Sequence, residues 1–161
     1  MSSPQPSSTK TNSEQDLLDV AKQAVAMLCD IEPEDVYVNE EGIIDFSTPT
    51  SSAAVFFWVD SDDDEPASYQ FRCPLLLSVD DQPLVYSLIN EINKDIVYGQ
   101  IYYCDGNISF YYRLMVDKPS PEMLITVLEY MQKTGDDYDD KLKARLGGGR
   151  LIEKEEDEID V

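Results

Sequence analysis

VYGQIYYCDGNISFYYRLMV, residues 97–116, reads as a β-hairpin. Two runs rich in β-branched and aromatic residues, 97–104 and 107–116, flank Asp105-Gly106. An Asp-Gly pair tolerates the two positive φ angles of a tight two-residue turn, so the runs should pair as neighbouring antiparallel strands.

The elements on either side follow from that hairpin. Upstream, Asp80-Asp81-Gln82-Pro83 announces a helix with its apolar face at Leu84, Val85, Leu88, Ile89 and Ile92. Before it, Ser68 to Leu77 and Ala53 to Val59 read as strands, joined by an exposed acidic hairpin loop over Asp60–Pro66. After the first helix a strand region opens with Val36–Val38 and Ile43–Phe46 flanking a turn at Glu41-Gly42, so that three or so strands precede the second helix. A first helix has Ser13 as N-cap and Leu17, Leu18, Ala21, Ala24, Val25 and Leu28 as its stripe, ending near Asp30. Downstream, Ser120 caps a last helix with Pro121 at its first position. Its stripe is Leu124, Val127, Leu128, Met131, Tyr138 and Leu142, and Gly135 should kink or split it. There is no internal repeat and no parallel β-α-β rhythm. The expectation is an α+β single domain, a mainly antiparallel β-sheet with three helices in the order α-β-β-β-α-β-β-α. The expected boundaries are a disordered segment over 1–12, the domain over 13–146, and a flexible Gly-rich break with an acidic tail over 147–161.

Composition excludes whole classes of chemistry. The 161 residues include no histidine, so no Ser-His-Asp triad, Cys-His pair or His-bearing zinc site can form. Thirty-three acidic residues against 12 basic ones leave a net charge of -21. That charge repels nucleic acid and anionic membrane surfaces, and suits basic or amphipathic polypeptides; it also keeps a chain soluble without any partner. The longest apolar run, Ala53–Val59, is far short of the roughly 20 residues that span a bilayer. The N-terminus lacks the apolar core of a secretory signal. Cys29, Cys73 and Cys104 have no CxxC spacing and read as reduced core thiols, which implies a cytoplasmic setting.

The acidic clusters do not amount to a site. Asp60, Asp62 and Asp64 begin like a calcium loop, but Glu65 stands where the loop needs Gly and Phe71 where it needs a bidentate Glu. Asp136, Asp137, Asp139 and Asp140 read as an exposed helix face. No phosphate cradle or nucleophile elbow is present. The reading is therefore not an enzyme, with no cofactor and no metal.

The sheet carries the stronger signal. One register is an ordinary core: Val55, Phe57, Phe71, Cys73, Leu75, Ile101, Tyr103, Ile108, Phe110, Tyr112 and Leu114. The other mixes aromatics, Met and Arg with few acids, the residue types enriched at protein interfaces. From it Phe56, Trp58, Tyr98, Tyr102, Tyr111 and Met115 are the candidate partner-binding or dimer surface, unless a helix of the same chain covers them.

The runs FRCPLLLSV, LVYSLINEIN and VYGQIYYCDGNISFYYRLMV, with a helix opened by Ser-Pro-Glu, resemble the YbjN family of bacterial sensory transduction regulators. The resemblance extends over about Glu14 to Leu146. It implies a type III secretion chaperone-like fold, with no catalytic residues to carry over. It implies a small acidic homodimer that binds extended segments of a protein or peptide client as chaperone, adaptor or regulator. The alternative is a ligand- or cation-responsive regulatory protein using the acidic loop 60–65.

Overall fold

In a computed structural model, which describes residues 8–62 and 64–151, the elements run α1 (Ser8–Cys29), a 3-10 turn (Pro33–Asp35), β1 (Ile44–Phe46), β2 (Val55–Asp60), β3 (Ser68–Leu76), α2 (Pro83–Asp95), β4 (Gln100–Cys104), β5 (Asn107–Met115) and α3 (Pro121–Leu146). The strands form one antiparallel sheet in the order β1-β2-β3-β5-β4. This is the α+β order read from the sequence. Among the described residues no helix is long and apolar enough to cross a membrane.

The hairpin is built as its sequence requires. Cys104 pairs with Asn107 across Asp105 (φ 50°) and Gly106 (φ 81°), both in the left-handed region that Asp and Gly tolerate. The Gly106 carbonyl accepts from the Val79 amide at 2.7 Å, and the Tyr103 hydroxyl donates to the Val79 carbonyl at 2.7 Å. The turn is thereby tied to the segment that leads into α2.

All three helices meet the sheet through the core register. Leu17 of α1 accepts through its carbonyl from the Tyr69 hydroxyl at 2.6 Å. Tyr86 of α2 sets its ring edge-on to Tyr103, with centroids 5.9 Å apart, and Tyr130 of α3 does the same to Phe110 at 6.1 Å. Val55, Phe57, Tyr69, Phe71, Cys73, Leu75, Ile101, Ile108 and Phe110 are buried beneath them. Burying an aliphatic or aromatic side chain of this kind contributes about 1.5–3 kcal/mol, which makes this layer the main source of stability.

Several expectations change. The α1 backbone begins at Ser8, so Ser13 lies inside the helix rather than at its start; of the segment 1–12 expected to be disordered, 8–12 are helical and 1–7 lie outside the described residues. Val36–Val38 forms no strand, because Pro33 starts a 3-10 turn whose Pro33 carbonyl takes the Val36 amide at 3.2 Å. Gly135 does not split α3, which is continuous from Pro121 to Leu146. Glycine is needed there for close approach to β3. The Gly-rich segment is docked: Leu77 and Gly149 exchange both backbone hydrogen bonds, at 2.7 and 3.0 Å. The acidic tail, 152–161, lies outside the described residues. Of the three cysteines only Cys73 is a core thiol; Cys29, at the end of α1, and Cys104, beside the hairpin turn, are exposed.

Candidate functional site

The strand register places four rows of side chains on the sheet face opposite the helices. Phe56 of β2, Arg72 of β3, Tyr111 of β5 and Gln100 of β4 stand in line across the sheet. Trp58, Gln70 and Arg113 form the next row, and Asp60, Ser68 and Met115 the one beyond. Pro74, Ser109 and Tyr102 make the row on the other side of Arg72. No helix covers this face among the described residues. Phe56, Trp58, Tyr102 and Tyr111 are half-buried by their neighbours, while Arg72, Gln100, Arg113 and Met115 are exposed. Tyr102 and Tyr111 meet edge to face with centroids 6.4 Å apart.

A polar frame that the sequence did not reveal fixes these side chains. The Tyr111 hydroxyl donates to Gln70 Oε1 at 2.7 Å, and the Gln70 amide donates to Asp60. Arg113 donates through Nε to Ser68 Oγ at 2.9 Å, and pairs with Asp60 at 3.2 Å and Glu65 at 3.0 Å. Two acids of the 60–65 loop are thus held by Arg113. Burial raises the Tyr111 phenol above its ordinary value, with the Arg113 charge opposing and Asp60 and Tyr102 adding. The phenol therefore stays a neutral donor at neutral pH.

Of the six residues singled out from the sequence, Phe56, Trp58, Tyr102 and Tyr111 share this face. Met115 continues it at the far end of β5, 67% exposed and lining a groove with Leu17 and Val20 of α1. Tyr98 does not join them. It precedes β4, and Gly99 (φ 89°) breaks the alternation on which its placement rested. Its ring lies on the helix side, edge-on to Tyr112 at 6.4 Å and to Tyr130 at 6.0 Å. A side chain at position 99 is excluded, because a Cβ there would stand 2.6 Å from the Tyr111 carbonyl oxygen.

The sheet edges offer less than the face. Asn93 of α2 accepts from the Ile101 amide at 2.8 Å and donates to the Ile101 carbonyl at 3.0 Å, taking up the outer edge of β4 as a neighbouring strand would. The other edge, β1, is three residues long.

The second acidic cluster is divided: Asp137 and Asp140 are exposed as expected, whereas Asp136 is half-buried and Asp139 buried. Asp136 accepts from Ser51 Oγ at 2.6 Å and from Ser52 N and Oγ at 3.1 and 2.9 Å. Asp139 is only 2% exposed, lies 2.5 Å from the same Ser52 Oγ, whose single proton the two carboxylates share, and faces Arg150 Nε at 3.6 Å. Arg150 also pairs with Asp140. The expectation of an exposed acidic face fails for Asp136 and Asp139 because their partners are remote in sequence, at the entry to β2 and after the Gly-rich segment. Their acceptor capacity ties the entry to β2 and Arg150 to α3.

No curated protein matches the chain. Residues 16–154 match TY-Chap1, described as T3SS (YopN, CesT) and YbjN peptide-binding chaperone 1. That span includes every strand and the whole of α2 and α3. The suspected kinship with YbjN proteins and the chaperone-like fold both hold. This chain, with three helices on one side of its sheet and an aromatic face on the other, belongs to the TY-Chap1 family of peptide-binding chaperones.

Proposed function

We propose that the protein is a non-enzymatic chaperone or adaptor that holds an extended client segment on the open sheet face, with Phe56, Trp58, Tyr102 and Tyr111 as anchors and Met115 at the margin. The observation that carries this is the composition of a face that no helix covers among the described residues. A solvated antiparallel face is normally polar, whereas this one carries four aromatic side chains in adjoining rows. Family membership supports a peptide as the client. The occupied edge of β4 and the shortness of β1 favour the face over addition of a strand at an edge.

Two copies pair in this reading, and Met27, Ile31 and Tyr37, exposed around the end of α1, supply apolar surface for that contact away from the client face. Exposed, unlinked Cys29 and Cys104 suit a reducing, cytoplasmic setting. The engagement of Asp60 and Glu65 by Arg113 favours a structural use of the acidic loop over cation sensing.

Trp58 is the chain's one tryptophan and reports on the face directly. Titration with a binding peptide is expected to move its emission to shorter wavelength and shield it from acrylamide. A peptide that binds while leaving Trp58 emission and quenching unchanged overturns this placement of the site.

A further inference from the structure

Arg72 stands at the centre of the open face, between Phe56 on β2 and Tyr111 on β5. It is exposed and has no ion-pair or hydrogen-bonding side-chain partner among the described residues. The polar groups around it are committed elsewhere. Gln70 uses its carbonyl on Tyr111 and its amide on Asp60, and Arg113 is shared among Ser68, Asp60 and Glu65. In a chain of net charge -21 the middle of this face is a local positive point in an acidic field.

A client segment laid across the aromatics removes water from this guanidinium. A charge covered without a partner is strongly unfavourable. The segment must therefore bring an acceptor, and a carboxylate matches the guanidinium fork in both geometry and charge. We propose that the client segment carries an Asp or Glu that pairs with Arg72, flanked by apolar side chains that pack on Phe56 and Tyr111. This rests on the reading of the open face as the peptide site.

The test selects displayed random peptides of about ten residues, long enough to cross the face as one strand, on the full-length chain. Selected peptides are then resynthesised with their acid changed to Asn. They are titrated against the natural chain and against the Arg72→Gln and Trp58→Ala variants, each checked for native circular dichroism. The expected result is enrichment of an Asp or Glu within an apolar segment. The Asn form should bind the natural chain about tenfold more weakly, and acid and Asn forms should bind Arg72→Gln equally. Apolar peptides with no acid preference, or equal binding of acid and Asn forms to the natural chain, overturn the carboxylate assignment while Trp58→Ala still weakens binding. Selected peptides that bind Trp58→Ala undiminished, or a selection that enriches nothing, overturn the site itself.

Discussion

Gly135 of α3 lies directly over Cys73 of β3: a Cβ at position 135 would stand 2.7 Å from the Cys73 Sγ and 3.0 Å from the Ala53 Cβ. Glycine in mid-helix costs about 1 kcal/mol relative to alanine. Here that cost is offset by letting the helix settle onto the sheet. Gly135→Ala should therefore destabilise the domain despite its better helix propensity, by about 1–3 kcal/mol of overpacking. Combining it with Cys73→Ala should recover part of the loss, because the sulfur is the nearest obstacle. Denaturant unfolding of the two single variants and the double variant measures this. Additive losses would show that the two sites do not touch.

The same contact controls the thiol. Burial, with Asp139 and Asp136 nearby, pushes the Cys73 thiol from 9.0 up to about 12, so the thiolate is suppressed in the folded chain. A disulfide reagent at pH 8 should titrate Cys29 and Cys104 quickly, and Cys73 only after unfolding. The sign of the pH effect follows. Above pH 9 the unfolded chain releases this proton and the folded chain keeps it, so the contribution present below pH 9 is lost as pH rises toward 12. Cys73→Ala should flatten that part of the alkaline decline in stability.

Asp139 and Arg150 are a buried pair, with side chains 2% and 6% exposed. Removing either leaves the other in the interior. Asp139→Ala or Arg150→Ala should each cost about 3–5 kcal/mol, and the double variant less than the sum. Hydrogen exchange should show the Leu77–Gly149 backbone pair opening in both single variants. Unchanged protection there would mean that the Gly-rich segment is held by its backbone alone.

Self-association is expected to be independent of the client face. Light scattering should give twice the chain mass for the natural protein and for Trp58→Ala alike. A single-chain mass across a wide concentration range contradicts pairing, and loss of pairing in Trp58→Ala assigns the aromatic face to the second copy.

Most of the architecture was legible from local chemistry. Asp105-Gly106, Pro83 and Pro121 mark a turn and two helix starts by backbone preference, and the period-two pattern in β2, β3 and β5 separates core from open face. What was missed depends on single backbone shifts or on distant partners. Gly99 moves Tyr98 to the helix side. The irregular register between Pro74 and Leu76 buries Leu76, which strict alternation places on the open face. Asp139 replaces Tyr138 on the buried stripe of α3 only because Ser52 and Arg150 arrive to satisfy it. Asn93, Gln70 and Arg113 are ordinary surface residue types in sequence. Their roles emerge only once the strands lie side by side.

The central claim is that peptide binding occurs on the open aromatic face. Nuclear magnetic resonance mapping of a selected peptide on the full-length chain tests it most directly. The expected result is a footprint of shifted resonances at Phe56, Trp58, Gln70, Arg72, Tyr102 and Tyr111, with Tyr98, Tyr130 and Tyr138 on the helix side unmoved. A footprint centred on Tyr98, Tyr130 and Tyr138, with the Trp58 indole unshifted, would contradict it.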